Sequence, residues 1–268
     1  MLLSMLLFLS GVRSYGQGTD TLAGIRTFIK VCNIYKQLPL QLNVTLRNTT
    51  NLVTAEEDTL SLHAHFCLQQ NGSYIGMGEL EQIADDSLLV LVSNKLHRMI
   101  VYTHRSSISD QLKGYLGLQL EDSSLLRMAA RFKAFVHPEG NDSSVVEMKS
   151  RGIVYNTGLA RESISVMYCN KDLQPSQVIH IMRSLMPVTR AVYEELTARG
   201  GYEGRLVELP DSSFCVVKEK VSSFMYDAVS HAAGIKLPAT ASDRIVRDAS
   251  GNLRPAEAYH DFQIIRDL

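Results

Sequence analysis

Residues 60–72 read LSLHAHFCLQQNG, and this stretch decides the fold class. Apolar and polar side chains alternate from Leu60 to Gln69, which is the period of a β-strand with one buried face. Asn71-Gly72 follows directly, and this dipeptide is the strongest short signal for a hairpin turn. The stretch therefore predicts a strand that turns back on itself within an antiparallel sheet.

The same period of two extends to both sides of this stretch. Residues 40–47 alternate before it, and strands are predicted after it at 74–83, 88–92 and 98–103, separated by turn sequences. The continuous apolar run 88–92 indicates a strand that is covered on both faces. Together these segments predict a five-stranded meander with one consistently apolar face.

Two helices are expected to lie against this sheet. The first begins at Asp20 or Thr21 and runs to about Tyr35, with apolar side chains at three- and four-residue spacing. The second follows Asp122-Ser123 and ends before Pro138. Its apolar stripe consists of Leu125, Met128, Ala129, Phe132 and Phe135.

The second half of the chain is predicted to contain further strands at 145–148, 152–155, 163–168, 178–185 and 214–226. An inserted helix is expected near 189–199, and a C-terminal extension carries a hairpin near 248–252 and a last strand at 262–265. The predicted fold class is mainly β with helices (α+β), built on a large curved antiparallel sheet with one apolar face. Such an apolar face must be covered by helices or filled by a ligand.

Residues 1–16 have the pattern of a cleavable secretory signal. An apolar run from Met1 is too short to span a bilayer, and Ser14-Tyr15-Gly16 offers small residues at a cleavage site. The alternative is a buried amphipathic helix. No later segment approaches transmembrane length, so residues 17–268 are expected to form one soluble domain outside the cytoplasm.

The charge balance argues against a nucleic-acid partner. The chain has 27 Lys+Arg and 28 Asp+Glu, and removal of residues 1–16 would delete only Arg13, which gives a net charge of −2. A nucleic-acid-binding protein would carry a basic face. Hydrophobic residues make up 45% of the chain, which is enough for a core.

The four cysteines have no metal-type spacing. Cys32, Cys67, Cys169 and Cys215 lie far apart, so either two long-range disulfides or four buried thiols are allowed. Buried thiols are favoured, because free cysteines are among the most buried residues. Cys67 fits this less well, since it falls on the polar side of its strand.

No motif for catalysis, a metal or a cofactor stands out. His63 and His65 share a strand face about 7 Å apart. A metal site would need a third ligand. Nothing in the sequence marks one, although His97 and His104 are available. Glu79 and Glu81 share a strand face that is expected to face solvent. No G-x-S-x-G elbow, Walker loop or dinucleotide fingerprint is present, so the chain is predicted not to be an enzyme.

The methionine content suggests a binding surface for flexible apolar groups. The chain has 10 Met and 0 Trp, and methionine side chains adapt to irregular apolar shapes, although they also fill ordinary cores. The predicted second helix would act as a lid over the sheet. The candidate ligand-binding residues are Leu125, Met128, Phe132, Phe135, Met77 and Met99.

The first half of the chain resembles the Lol-type periplasmic lipoprotein carriers. The resemblance lies in the helix that runs into a strand near residue 40, the meander 58–103, and the segments 78–80, 88–92 and 97–102. Residues 163–168 and 242–247 resemble larger relatives of the same group. The resemblance implies an incomplete β-barrel with helices packed on the concave face, which holds lipoprotein acyl chains in the periplasm.

The leading hypothesis is therefore a periplasmic binding or carrier protein for an apolar ligand, such as lipoprotein acyl chains or lipid. The alternative is a non-enzymatic interaction module of a cell-envelope assembly, with helices filling the apolar face and an envelope protein as partner. A secreted hydrolase is the least supported hypothesis. An open groove or a filled interior distinguishes the first two.

Overall fold

The computed structural model describes residues 20–33, 37–103 and 122–266, and it is built around one large β-sheet. Within these residues the sheet has 13 strands, a separate two-stranded hairpin lies near the C-terminus, and three α-helices are present. The chain is mainly β with helices, as the sequence predicts. The predicted signal at 1–16 lies outside the described residues. None of the helices within them is long and apolar enough to cross a membrane.

The helices and strands are numbered in chain order. The helices are α1 (Thr21–Asn33), α2 (Asp122–Arg131) and α3 (Arg190–Arg199). The first strands are β1 (Leu40–Thr50), β2 (Ser61–Leu68), β3 (Ser73–Met77), β4 (Leu80–Ala84), β5 (Leu89–Ser93), β6 (Arg98–Tyr102), β7 (Phe132–Glu139) and β8 (Ser143–Ser150). The remaining strands are β9 (Glu162–Cys169), β10 (Pro175–Val188), β11 (Leu206–Glu208), β12 (Phe214–Ser230), β13 (Ile245–Arg247), β14 (Leu253–Pro255) and β15 (Gln263–Arg266).

The main sheet is open and mostly antiparallel. Its strand order is β15-β6-β5-β4-β3-β2-β1-β12-β10-β9-β8-β7, and β11 pairs with β12. Strand β15 pairs with β6 in parallel, and the other described pairs are antiparallel. The predicted antiparallel sheet is confirmed, with one parallel pair at this edge because the C-terminal extension returns to lie beside β6.

The predicted meander contains six strands between residues 40 and 102 rather than five. The sequence suggests one strand at 74–83, but the chain turns after Met77, where Gly78 has φ +57°. This left-handed conformation favours glycine. Met77 therefore pairs with Leu80 in a tight hairpin between β3 and β4.

The predicted lid helix ends earlier than its apolar pattern suggests. The helix stops at Arg131, and β7 begins at Phe132 and pairs with β8. Phe132 and Phe135 are three residues apart, a spacing that fits one helix face but places them on opposite faces of a strand. The prediction of a single helix through residue 135 is thus wrong.

Helix α1 packs against β7 and β8 at one end of the sheet, as a helix with an apolar stripe must. The Asp20 carboxylate accepts hydrogen bonds from the backbone N–H groups of Leu22 and Ala23, which confirms the predicted cap. Gly24 allows a close approach, because a Cβ at this position would lie 2.8 Å from Ala134 Cβ. The buried residues of the resulting core include Ile25, Phe28, Val31, Cys32, Phe132, Val146 and Val166.

The C-terminal segment, defined as residues 239–266, covers the sheet face opposite to the one that α1 covers. Ala241 and Ile245 pack on Val90, Val92 and Met99. This explains the continuous apolar run in β5, whose alternate residues face the C-terminal segment. The predicted hairpin near 248–252 is confirmed as the β13–β14 pair.

One predicted strand is reduced to a single bridge. Residues 152–155 were expected to form a strand, but only Ile153 pairs, with Ala160. The four cysteines are free thiols, and the predicted burial is confirmed for Cys32, Cys67 and Cys215, whereas Cys169 is only partly buried. Cys67 is fully buried although it lies on the polar side of β2, because its Sγ contacts the Lys236 carbonyl oxygen at 3.3 Å. This burial raises the pKa of the Cys67 thiol.

Candidate functional site: an apolar groove on the inner face

The sheet face that lies beneath α1, here called the inner face, contains an apolar groove. Its volume is about 440 Å³, which lies within the usual range for small-molecule sites. Nearly all of its lining is carbon. The lining residues are Phe28, Cys32, Leu40, Leu42, Val44, Leu46, Leu62, Ala64, Phe66, Leu68, Ile75, Met77, Gln82, Ile164, Val166, Val178, Phe224 and Tyr226.

The alternating sequence of β1 and β2 builds the floor of the groove. Leu42 pairs with Phe66, Val44 with Ala64 and Leu46 with Leu62, so the apolar residues of both strands share the inner face. The intervening polar residues face the other way, on what is here called the outer face. The six-residue rise from Leu40 to Leu46 gives the floor a length of about 20 Å.

The second wall comes from strands that are distant in sequence. Strand β12 lies beside β1 and contributes Phe224 and Tyr226, while β10 contributes Val178. Helix α1 completes the groove with Phe28, which is 7% exposed. The site thus requires the N-terminal helix, the meander and the second half of the chain together.

The polar side chains of the lining already have partners. Gln82 is buried, and it, Cys32 and Tyr226 each interact with another residue. Few polar groups in the groove are therefore left to hydrogen-bond a ligand, and an apolar ligand fits this lining best. The side chains that the structure describes leave this space open.

Of the candidate ligand-binding residues, the structure places only Met77 in the groove lining. Leu125 and Met128 pack beside the core under α1, and Phe132 is 5% exposed within that core. Phe135 is on the outer face, where Lys149 Nζ lies 6.0 Å from its ring centroid. Met99 is fully buried beneath the C-terminal segment. Direct contact of these residues with a ligand stays a prediction.

The aromatic residues of the lining were not among the predicted ligand-binding residues. Phe66 lies in the stretch that decided the fold, and its alternation already placed it on the apolar face. Phe224 and Tyr226 also occupy alternate positions of one strand. Only their pairing with β1, across most of the chain length, brings them to Phe66, and strand periodicity alone does not reveal such pairing.

At one end the groove passes into a band of polar residues on the inner face. Ser222 Oγ donates to Asn48 Oδ1 at 2.8 Å, and Asn48 Nδ2 donates to the Glu57 carbonyl oxygen at 2.8 Å. His180 Nε2 lies 3.0 Å from Glu162 Oε1, and Arg131 lies 2.5 Å from Glu162 Oε2. Most of these polar groups therefore satisfy one another.

The histidine pair of β2 lies on the outer face, away from the groove. His63 Nδ1 is 3.0 Å from Thr45 Oγ1, and His65 Nδ1 is 2.5 Å from Asn43 Oδ1. Thr45 Oγ1 also donates to Asp227 Oδ2, so His63 must donate to Thr45 through Nδ1–H. Among the residues that the structure describes, no three potential ligands converge on a metal position.

This outer-face cluster has the wrong order for nucleophilic catalysis. A triad places the histidine between the hydroxyl and the carboxylate, whereas here the Thr45 hydroxyl lies between His63 and Asp227. The Thr45 hydroxyl proton is therefore directed at the Asp227 carboxylate and not at the His63 imidazole. The cluster joins β1, β2 and β12.

Glu81 does not face solvent, contrary to prediction. Arg244 Nη2 and Nε donate to Glu81 Oε2 at 2.8 and 3.0 Å, and these side chains are only 14% and 11% exposed. The Arg244 guanidinium also lies 4.7 Å from the Tyr259 ring centroid. Burial and the Glu81 charge raise the pKa of the neighbouring Tyr74. The pair holds the C-terminal segment on the sheet.

No protein-family model and no curated protein sequence matches the chain. Among solved structures, it is similar to a LolA superfamily protein from Nitrosomonas europaea, with 11% identity, a TM-score of 0.27, and coverage of 80% of this chain and 94% of that chain. A DUF1329 family protein from Desulfovibrio piger matches with 9% identity, a TM-score of 0.27, and coverage of 81% and 95%.

A third similar structure, from Vibrio parahaemolyticus, is described as an outer membrane lipoprotein-sorting protein domain. It shares 10% identity and a TM-score of 0.26, over 80% of this chain and 95% of that chain. The chain is similar to LolA-type proteins. Because these TM-scores are low, the function proposed below rests on the groove and not on the similarity.

Proposed function

We propose that the protein is a non-enzymatic binding or carrier protein that holds an acyl chain in the inner-face groove. The ligand would be a lipid or the acyl chain of a lipoprotein. The observation that carries this proposal is the space of about 440 Å³ that the described residues leave open, with its almost wholly apolar lining.

The hydrophobic effect supplies the driving force for such binding. Burying one methylene group contributes roughly 0.8 kcal/mol, and the floor of about 20 Å accommodates a long, extended chain. Binding also orders the acyl chain and removes its translational and rotational freedom, and this entropic cost offsets much of the gain. A groove with few free polar groups thus selects a ligand by its apolar length.

The proposed place of action is the periplasm, and the signal pattern of residues 1–16 supports it. Binding without catalysis is proposed because the side chains that line the groove are almost wholly apolar. An envelope protein is the expected partner for loading or release of the ligand.

The direct test is to fill the groove with a larger side chain. Ala64 lies on the floor between Val44 and Met77, so Ala64→Phe would occupy the space of several methylene groups. We expect this variant to bind a fluorescent long-chain fatty acid at least tenfold more weakly, because loss of two methylene contacts already corresponds to about that factor. Fluorescence titration measures the change.

Ala228→Phe is the matched control, since Ala228 is exposed and pairs with the outer-face residue Asn43. This variant should bind like the unmodified protein, and circular dichroism should show that both variants are folded. Equal fatty-acid affinity of all three proteins would contradict binding in the groove. If none of them binds acyl ligands, the interaction-module hypothesis replaces the proposal.

A further inference from the structure

The polar band at the end of the groove is arranged in rows across the strands. Leu46, Phe224 and Val178 are paired neighbours and line the groove. Because side chains alternate between faces, the residues two positions further along each strand form the next row on the inner face. That row contains Asn48, Ser222 and His180, and the following row contains Thr50, Lys220, Met182 and Glu162.

Among the described residues of this band, Lys220 is a cation without an ion-pair partner. Its neighbour Lys218 forms an ion pair of 2.6 Å with the buried Asp58, and Glu162 is held by Arg131 and His180. No hydrogen bond or ion pair joins Lys220 to another side chain in the described part of the chain. The partly buried Lys220 therefore leaves a positive charge at the end of an apolar groove.

The opposite end of the groove has a different character. Leu40 and Leu68 pair there and are 0% and 1% exposed. An extended ligand would thus meet apolar side chains at one end and a cation at the other. This asymmetry fits a molecule with an apolar tail and one anionic head.

We propose that the preferred ligand is an anionic single-chain amphiphile of the fatty-acid type, with its headgroup at Lys220 and its tail directed toward Leu40. The inference rests on the proposed acyl-binding function and deepens it. Lys220 carries its ammonium on a flexible four-carbon stem, which allows it to reach back over the Asn48–Ser222 row. The hydrogen bonds that already join Asn48, Ser222 and Glu57 leave Lys220 as the main contact for the head.

The test compares ligands that share a tail and differ in the head. Hexadecanoate, hexadecanol and hexadecylamine compete with a neutral fluorescent alkyl probe, all below their aggregation concentrations. We expect hexadecanoate to bind about tenfold more tightly than hexadecanol, as a charge-assisted contact allows, and hexadecylamine to bind most weakly. Lys220→Met should remove the preference for the acid while leaving hexadecanol affinity within about twofold.

Lys133→Met is the matched control, because Lys133 is exposed on β7 and its side chain lies away from the groove. It should retain the full preference for the acid. Inorganic phosphate alone should not displace the probe; displacement would show an anion site independent of the groove and overturn the proposal.

The outcomes separate this inference from the function on which it rests. Equal binding of acid and alcohol, unaffected by Lys220→Met, contradicts the headgroup site but leaves the acyl groove in place. Failure of every ligand and of the probe to bind contradicts the proposed function itself. A preference that survives in Lys220→Met would assign the head to other residues and reject the role of Lys220.

Discussion

At the residue scale, Asp58 illustrates how a single carboxylate anchors the connection between β1 and β2. Its Oδ2 accepts hydrogen bonds from the backbone N–H groups of Thr54 and Ala55, and it pairs with Lys218 at 2.6 Å. Lys218, more than the Thr54 and Ala55 groups, holds the pKa of Asp58 well below its ordinary value. The loop is therefore tied to the polar band beside the groove.

The sign of this pKa shift predicts a pH-dependent stability. The folded-state pKa of Asp58 is depressed, so the carboxylate stabilises the folded protein fully above the unfolded-state pKa of about 4. This stabilisation is lost progressively as the pH falls from that value through the folded-state pKa. We expect Asp58→Asn to lower the free energy of unfolding at pH 7. The difference from the unmodified protein should shrink at pH 3.

Urea denaturation at the two pH values measures this effect. Asp86→Asn is the control, since Asp86 is an exposed turn residue and should change little at either pH. An Asp58→Asn penalty that is equal at pH 7 and pH 3 would contradict the ionic role of the carboxylate.

At the element scale, the buried Arg244–Glu81 ion pair adds to the packing and strand pairing that hold the C-terminal segment on the sheet. Removal of Arg244 would leave the Glu81 carboxylate without its partner at 11% exposure, and breaking such a pair costs about 3 kcal/mol. We expect Arg244→Met to destabilise the protein by that amount and to increase hydrogen exchange in the C-terminal segment. Adding Glu81→Gln should recover part of the loss.

Arg254→Met provides a matched control in the same segment. Arg254 pairs with Asp248, but its side chain is 70% exposed, so its removal should cost less than about 1 kcal/mol. Unfolding by urea and hydrogen exchange followed by mass spectrometry test both variants. An Arg244→Met protein as stable as Arg254→Met would refute the anchoring role.

The elements also show what a sequence pattern can predict. Strict alternation in residues 60–69 and the Asn71-Gly72 turn predicted the hairpin correctly, because burial of one face imposes that period. The spacing of apolar residues gave the wrong secondary structure at Phe132 and Phe135, because a separation of three residues also fits one face of a helix. Pairing of β7 with β8 overrides the local helical pattern. Contacts with other segments thus determine the secondary structure of short segments whose own pattern is ambiguous.

At the scale of the whole molecule, the groove arises where distant parts of the chain meet. The sequence predicted an apolar sheet face and a covering N-terminal helix, and α1 confirms the latter. It did not predict that β12 lies beside β1 or that the C-terminal segment covers Met99 on the outer face. Met77 and Met99 were therefore grouped together, although they lie on opposite faces of the sheet.

The central claim is that an acyl chain occupies the groove, and photo-crosslinking tests it most directly. A fatty acid with a diazirine at mid-chain would be bound, irradiated and located by peptide mass spectrometry. We predict labels on groove residues such as Phe66, Met77 and Phe224, reduced by excess unlabelled fatty acid. Labels confined to outer-face residues such as Met225, or labelling that excess fatty acid does not reduce, would contradict the claim.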